Sequence, residues 1–209
     1  MHKITVGMVS LGCPKNQVDA EMLLFRLSSE GFSITNDPAK ADAVIINTCG
    51  FIEDAKQESI DNILEFGTLR QEGKLRCLVV TGCLAERYRE EVAAELPEVD
   101  VVAGIGASAD IGRLIREAMG GKHLAIFPDK LALPLEGGRM QSTPAYTAYL
   151  KIAEGCSNGC TYCAIPMIRG PYRSRAKEGI LQEAAGLAKR GVKELIVIAQ
   201  DTTRYGEDL

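Results

Sequence analysis

Four short apolar runs, each followed by a segment of helical length, are the feature that most restricts how this chain can fold. The runs cover residues 4–11, 43–47, 77–81 and 99–103, and the second and third are rich in Val and Ile. Short β-branched runs of this kind are typical of buried strands. A strand followed by a helix, repeated four times, predicts an α/β fold with an open parallel sheet and helices on both faces.

The segments between the runs show helical periodicity. In residues 109–119, apolar side chains recur at intervals of three and four, which places them on one face of a helix. A similar stripe covers residues 52–66, and Ser59 is its one polar interruption. Residues 17–30 are apolar on one side, and Gly31 is placed to end that helix.

The alternation stops in residues 120–147, where Gly and Pro recur and no periodic pattern survives. We therefore predict an N-terminal α/β domain over residues 1–120, a linker over residues 121–147 and the start of a second domain over residues 148–209. Within this second unit, the sequence predicts a strand over 148–155, a Cys-rich loop, a helix from residue 177 and a strand over 194–199. Such a unit is too small to bury both faces of its sheet, so we expect an exposed sheet edge.

Charge and cysteine content exclude several classes of protein. The chain has 24 Lys and Arg against 28 Asp and Glu, a formal net charge of −4, which argues against a dedicated nucleic-acid binder. No apolar stretch approaches the roughly 18 to 20 residues that cross a bilayer, and the opening residues contain no convincing signal cleavage site. Seven cysteines do not fit the disulfide framework of a small secreted domain. We expect a cytoplasmic chain with no membrane partner and with metal or redox chemistry.

The densest group of cysteines is Cys156, Cys160 and Cys163, within the sequence GCSNGCTYC. A glycine-containing loop this short can wrap one compact metal centre. An iron–sulfur cluster held by three cysteines leaves one iron open for chemistry. A structural zinc site normally needs four ligands, and the only histidines, His2 and His123, are distant in the sequence.

One alternative to an iron–sulfur cluster stays open at this point. It is a zinc site whose fourth ligand is Cys77 or a residue of a partner chain. Cys77 also has a simpler explanation, because it lies at the start of a predicted strand, and we assign it to the core.

The cysteines Cys13, Cys49 and Cys83 follow the first three predicted strands, 36 and 34 residues apart. The carboxyl ends of parallel strands lie on one edge of a sheet, where ligand sites form. We therefore expect these three thiols on a common rim, available for a second cluster. The alternative is that each is a small buried apolar residue, which is common for Cys.

The sequence CxxxCxxC, with the aromatic Tyr162 before its last Cys, resembles the radical S-adenosylmethionine enzymes. The resemblance implies a [4Fe-4S] cluster on Cys156, Cys160 and Cys163, as the catalytic centre. In that family the open iron binds the amino and carboxylate groups of S-adenosylmethionine, which an electron from the reduced cluster then cleaves. Tyr162 is the candidate for packing against the adenine; the alternative is that its ring covers the cluster.

Three cysteines in an N-terminal α/β domain, followed by CxxxCxxC, resemble the methylthiotransferases within that group. The similarity covers essentially the whole chain. It runs through SLGCPKN (10–16), NTCGFIEDAKQESID (47–61), GCLAERY (82–88), KIAEGCSNGCTYCAIP (151–166), RGPYRSR (169–175) and AQDTTRYG (199–206). It implies two [4Fe-4S] clusters, the second of them on Cys13, Cys49 and Cys83 holding the sulfur that is methylated, and a partial (β/α) barrel for the second domain.

Pro14 and the QDTT segment resemble the branch that modifies a ribosomal protein. This branch implies methylthiolation of an aspartate β-carbon in small-subunit ribosomal protein twelve, free or in the ribosome, and an electron donor such as flavodoxin or ferredoxin. The alternatives are a tRNA methylthiotransferase, which the net charge disfavours, and a non-catalytic iron–sulfur or zinc-binding module. Family members continue through the rest of the barrel and a small β domain, so the resemblance indicates a C-terminally truncated chain from which we expect little turnover alone.

The run RGPYRSR places Arg169, Arg173 and Arg175 close together just after the Cys-rich loop. Such a group could bind a phosphate, a carboxylate or a ribosomal surface. The alternatives are a solvated stretch, or pairing with nearby acidic residues.

Overall fold

A six-stranded parallel sheet forms the first part of the molecule in the computed structural model, which describes residues 3–209. In chain order its strands are β1 (Thr5–Ser10), β2 (Ser33–Ile34), β3 (Ala43–Thr48), β4 (Cys77–Gly82), β5 (Val101–Ala103) and β6 (Leu124–Ile126). Their spatial order is β2-β1-β3-β4-β5-β6, and every neighbouring pair is parallel. The central strands β3 and β4 are buried along their whole length, as their Val- and Ile-rich sequences predict.

Helices cover both faces of this sheet, which confirms the predicted fold class. They are α1 (Pro14–Ser29), α2 (Glu53–Gln71), α3 (Cys83–Arg87), α4 (Arg89–Glu95) and α5 (Ile111–Ala118). Helices α1 and α5 pack against one face through residues such as Leu27 and Leu114. Helices α2, α3 and α4 pack against the other face, where Ile63 and Leu84 are buried.

Two of the six strands were not predicted from the sequence. Strand β2 has two residues and β6 has three, and β6 is only partly buried, so neither gives a distinct apolar run. Strand β6 lies within the segment 121–147 predicted as a linker, where the structure extends the first sheet beyond β5. The domain boundaries themselves stay a prediction.

The second part of the molecule contains strands β7 (Thr147–Lys151), β8 (Ala153–Glu154), β9 (Arg173–Ser174) and β10 (Glu194–Ile198) and helices α6 (Ile165–Arg169) and α7 (Lys177–Lys189). Strands β7 and β10 are parallel, and α7 packs against β7 through Leu187 and Leu150. The prediction of one continuous strand over 148–155 is wrong. The chain breaks at Ile152, because β8 leaves β10 and pairs antiparallel with β9 instead.

Strand β10 has exposed apolar side chains on both of its faces. Leu195, Ile196 and Val197 are between 37% and 51% exposed. Among the described strands β10 pairs only with β7, so its other edge is unpaired, which matches the exposed sheet edge expected for the second unit.

Among residues 3–209, no helix has the length and apolar character needed to span a membrane.

Candidate metal centre

One cavity of about 670 Å³ is lined by six of the seven cysteines. The sheet trio (Cys13, Cys49 and Cys83) and the loop trio (Cys156, Cys160 and Cys163) both contribute to its wall. All six are free thiols. The structure therefore brings together the six cysteines that the sequence assigned to the two expected clusters, from parts of the chain more than seventy residues apart.

The register of the sheet explains how the sheet trio assembles. Strands β3 and β4 pair up to Thr48 and Gly82, so Cys49 and Cys83, the next residues of each strand, emerge side by side. Strand β1 pairs with β3 up to Ser10 and Asn47, and Cys13 follows three residues later as the N-cap of α1. Pro14 occupies the first turn of this helix, where its fixed φ favours helix initiation.

Glycines before the sheet-trio cysteines permit this close approach. Gly82 has φ +95°, and a Cβ there would lie 2.5 Å from the carbonyl oxygen of Thr48. Gly12 has φ +89°, and a Cβ there would lie 2.9 Å from Cys49 Sγ. Both positions combine a left-handed backbone with a lack of space, so only glycine fits without strain.

Ser59, the polar interruption in the predicted apolar stripe of α2, holds the backbone of Cys49. It is fully buried, and its Oγ accepts a hydrogen bond of 3.0 Å from the Cys49 N–H. The same hydroxyl lies 2.8 Å from the Cys49 carbonyl oxygen. The Ser59 hydroxyl therefore contacts both backbone polar groups of Cys49, just beyond the end of β3, and also lies 2.9 Å from the Ala55 carbonyl oxygen.

Asn16 joins the loops that follow β1 and β3. Its Nδ2 donates to the carbonyl oxygens of Leu11, at 2.7 Å, and Thr48, at 3.1 Å. Its backbone carbonyl accepts a hydrogen bond of 2.8 Å from Asn47 Nδ2. A single buried amide thus fixes the spacing between the two loops that carry Cys13 and Cys49.

The loop trio lies on one segment between β8 and α6. Gly155 starts it with φ +75°, and the Cys156 N–H donates to the Gly170 carbonyl oxygen at 3.0 Å. Cys156 is buried, whereas Cys163 is partly exposed and Cys160 is exposed. The loop trio therefore faces solvent more than the sheet trio, in which Cys49 and Cys83 are both buried.

The segment after β10 anchors the outer part of this loop. Asn158 Nδ2 donates to Asp201 Oδ2 at 3.0 Å, and Arg204 Nη1 donates to Asn158 Oδ1 at 2.9 Å. Gln200 also lines the cavity. The AQDTTRYG segment thus contributes both to the cavity wall and to the support of the loop.

A buried ionic group joins the two parts of the molecule beside the cavity. Asp19 on α1 pairs with both Lys151 and Arg169, and Glu154 Oε2 lies 2.9 Å from Lys151 Nζ and 3.4 Å from Arg169 Nη1. Burial raises the pKa of Glu154, but the charges of Lys151 and Arg169 outweigh this effect, so its pKa falls below the usual range. Two cations and two anions together leave the group neutral, which is the condition for burying charges at acceptable cost.

Arg169 also contacts the sheet trio directly. Its Nη2 lies 3.3 Å from Cys83 Sγ and 3.0 Å from Asn16 Oδ1. Burial raises the pKa of the Cys83 thiol, an increase that Arg169 opposes and that Cys13 and Cys49 reinforce. Among the described residues, Arg169 is therefore the cation that lies next to Cys83 and can stabilise a thiolate there.

The chemistry of the cavity wall fits an iron–sulfur group. Its lining includes six thiols, and none of the described residues that line it is His, Asp or Glu. Thiolate-only ligand sets are typical of iron–sulfur clusters and of zinc. In residues 3–209 no three His, Cys, Asp or Glu side chains converge closely enough to hold a single metal ion.

Cys77, the proposed fourth zinc ligand, lies elsewhere. It is fully buried in the core at the amino end of β4, whereas Cys83 follows the carboxyl end of that strand. Burial raises its pKa to about 12. The assignment of Cys77 to the core is confirmed. His123 lies near the Val99 carbonyl oxygen and does not line the cavity, and His2 lies outside the described residues.

Two other predicted site features have different outcomes. Tyr162 lines the cavity, but its side chain is 88% exposed, so its contact with adenine or with a cluster stays a prediction.

Of the arginine run, Arg169 and Arg175 are buried and paired with acidic residues, and Arg173 donates to the Leu131 carbonyl oxygen. The predicted pairing with nearby acidic residues is confirmed for Arg169 and Arg175. The alternative of a solvated stretch is wrong for these two residues.

Several residues of this region were not predicted from the sequence. Asp19, Lys151 and Glu154 have no local pattern that marks them, because they meet only in three dimensions. A charged residue within an otherwise apolar strand was the available signal for Lys151. For Ser59, the signal was its place in an apolar stripe.

Two family models match the chain, one for each part of the molecule. Residues 5–104 match the uncharacterized protein family UPF0004, and residues 150–209 match the radical SAM superfamily. The first match contains the sheet trio and the second contains the loop trio.

Curated relatives match nearly the whole chain at about half identity. Proteins named ribosomal protein uS12 methylthiotransferase RimO are 51% identical over 207 residues in Desulforamulus reducens and 50% identical over 207 residues in Clostridioides difficile. These matches cover 98% and 99% of this chain. A Thermoanaerobacter protein of the same name is 54% identical over 205 residues and 98% of the chain. Each match covers 47% of the relative, so the chain spans about half the length of the curated relatives it matches.

Proposed function

The chain belongs to the radical S-adenosylmethionine methylthiotransferases, and from this premise we propose that it takes part in adding a methylthio group to ribosomal protein uS12. The substrate atom we propose is the β-carbon of an aspartate in that protein. The single observation that carries this proposal is the cavity in which six cysteines from two sequence regions meet. A methylthiotransferase has to supply both a sulfur atom and the means to activate a C–H bond, and two thiol trios facing one cavity can hold both.

The loop trio is the proposed ligand set of the catalytic cluster. When bound there, a [4Fe-4S] cluster would hold S-adenosylmethionine at its open iron and supply the electron that cleaves it. The Cys156 N–H donates a hydrogen bond to the Gly170 carbonyl oxygen, while Cys160 and Cys163 lie nearer to solvent. Tyr162 extends from the same turn and is the proposed contact for the adenine.

The sheet trio is the proposed ligand set of a second cluster, which holds the sulfur to be transferred. Its thiols are fixed from several sides, because Ser59 holds the Cys49 backbone and Asn16 joins the loops of Cys13 and Cys49. Apolar side chains of Phe51 and Ile52 complete this side of the cavity wall. The protein's contribution is to position the cofactor that performs the difficult step.

Iron analysis after anaerobic reconstitution tests the ligand assignment. Two cubane clusters require about eight irons per chain. We expect Cys156→Ala and Cys13→Ala each to remove about half of the iron, and Cys77→Ala to remove none. Stoichiometric zinc without iron would favour the non-catalytic module and would contradict the proposal.

A chimera tests the substrate, since the chain corresponds to about half of each relative. In it, this chain replaces the matched 207 residues of the Desulforamulus reducens relative. The chimera is incubated with S-adenosylmethionine, reduced flavodoxin or ferredoxin as the proposed electron donor, and either ribosomal protein uS12 or tRNA. We expect uS12 to gain the mass that corresponds to replacing one hydrogen by a methylthio group. A product on tRNA alone would show the tRNA-modifying activity instead.

A further inference from the structure

Arg169 connects the two trios physically. It ends α6, shortly after the loop trio in sequence, yet its guanidinium lies against Cys83 of the sheet trio, with Nη2 3.3 Å from Sγ. The side chain is only 1% exposed. Among the described residues that line the cavity, Lys15 is the only other cation, and no hydrogen bond joins it to a sulfur.

The guanidinium is held in this orientation by other residues. Nη1 pairs with Asp19 and lies 3.4 Å from Glu154 Oε2, while Nη2 donates to Asn16 Oδ1 at 3.0 Å. The planar fork of an arginine can serve these partners and the sulfur at the same time, whereas the single ammonium of a lysine cannot. The arrangement fixes one N–H of Arg169 toward Cys83.

We infer that Arg169 is a positioning residue that sets the reduction potential of the cluster proposed at Cys13, Cys49 and Cys83. The inference rests on the proposed function, because it requires that cluster. Hydrogen bonds to the ligand sulfurs and local charge are among the factors that set cluster potentials. A cationic donor stabilises the more negative, reduced form, so Arg169 raises the potential of this cluster.

Arg169 also connects the two parts of the molecule, because it lies in one part and contacts a cysteine of the other. The residue belongs to the segment that matches the radical SAM superfamily, whereas Cys83 belongs to the segment that matches UPF0004. The reduction potential of the cluster proposed at the sheet trio therefore depends on whether the second part of the molecule, which carries Arg169, is packed against the first part. A cluster in the isolated first unit would have a lower potential than the same cluster in the whole chain.

A redox titration of the sheet-trio cluster alone tests the inference. The starting protein carries Cys156→Ala, Cys160→Ala and Cys163→Ala, so that only the sheet trio binds iron. After anaerobic reconstitution, the midpoint potential is measured by electron paramagnetic resonance. We expect Arg169→Lys to keep the iron, because one positive charge still faces Asp19 and Glu154, and to shift the potential to a more negative value.

A second variant and a control separate this effect from a structural one. The double variant Asp19→Asn with Arg169→Gln removes one cation and one anion together, so the buried group stays neutral, and we expect a larger negative shift. Arg173→Lys is the control, because Arg173 donates to the Leu131 carbonyl oxygen and does not line the cavity. We expect no shift from it.

Three results would overturn the inference, and they differ in what else they contradict. Iron retained at the unchanged potential in both Arg169 variants would leave the proposed function standing. Loss of iron from both variants but not from the control would make Arg169 a structural support only. Absence of iron from the folded starting protein would contradict the proposed second cluster as well.

Discussion

The sheet trio and the loop trio supply the same thiols to one cavity by different physical means. The sheet trio comes from three strand ends that meet through backbone pairing, with two of its cysteines buried. The loop trio comes from one short segment, with Cys160 exposed and the outer turn held by side-chain hydrogen bonds at the surface. The sheet trio is therefore part of the folded core, whereas the loop trio lies on a more exposed loop beside it.

The difference predicts that the sheet trio depends on global stability and the loop trio on local order. A site built into the sheet suits the proposed sulfur-holding cluster, because its ligands would keep their positions between turnovers. A more open site suits the proposed catalytic cluster, which would exchange S-adenosylmethionine with solvent. Four substitutions can break or sharpen this contrast.

Asp19→Asn has the largest expected effect, because Asp19 on α1 pairs with Lys151 and Arg169 of the second part of the molecule. The change leaves the cations Lys151 and Arg169 buried with Glu154 as the only remaining carboxylate of the group. We expect a loss of about 3 to 5 kcal/mol in the free energy of unfolding, measured by urea denaturation. The control Asp110→Asn disrupts an exposed pair with Arg113 and should cost less than about 1 kcal/mol. Equal losses in the free energy of unfolding for Asp19→Asn and Asp110→Asn would contradict a buried ionic link between the two parts of the molecule.

Gly82→Ala tests the packing behind Cys83. Its Cβ would meet Thr48 O at 2.5 Å and N at 2.6 Å, in a backbone conformation with φ +95°. We expect a loss of about 3 kcal/mol, from backbone strain and overpacking combined. Gly73→Ala is the matched control, since φ is +72° there but nothing lies within 4 Å of the added carbon, and strain alone should cost about 1 kcal/mol. If the two variants lose the same free energy of unfolding, lack of space behind Cys83 adds nothing to the cost of Gly82→Ala.

Ser59→Ala tests the support of Cys49. It leaves the buried Cys49 N–H without its partner, which should cost about 2 kcal/mol and raise the alkylation rate of Cys49 in the iron-free chain. Thr68→Ala on the same helix removes an exposed hydroxyl bonded to Leu64 O, and we expect a change within about 0.5 kcal/mol. Unchanged alkylation of Cys49 in the Ser59 variant would show that other contacts hold this strand end.

Asn158→Ala has the smallest expected effect on stability. Its hydrogen bonds to Asp201 and Arg204 are exposed, so we expect a cost of about 0.5 kcal/mol, together with faster hydrogen exchange confined to the loop trio. Asn62→Ala, which removes an exposed bond to Glu58 O, should leave that exchange unchanged. A cost as large as that of Ser59→Ala would abolish the proposed contrast between the trios.

The same contrast explains what could be predicted from the sequence. The loop trio is visible in eight consecutive residues, and the sheet trio follows from strand runs with strong Val and Ile content. The short strands β2 and β6 gave no signal, because two or three partly exposed residues form no distinct pattern. The spatial order of the strands also lies beyond periodicity, since it depends on how the connecting helices cross the sheet.

The contacts between the two units were the least predictable part of the site. Asp19 and Arg169 are separated by 150 residues, and each is an ordinary charged residue in its local sequence. The arginine run left open a bound ligand, pairing with nearby acidic residues and a solvated stretch. Burial, which turns Arg169 from a surface charge into a neighbour of Cys83, is a property of the assembled fold.

Electron paramagnetic resonance of the reconstituted chain tests most directly whether the trios hold two clusters facing one cavity. Spectra are recorded for the reduced parent chain and for variants that keep only the sheet trio or only the loop trio. Two paramagnetic clusters in one cavity broaden and split each other's signals, so we expect the parent spectrum to differ from the sum of the two variant spectra. A parent spectrum equal to that sum, or the absence of a cluster signal from either variant, would contradict the account.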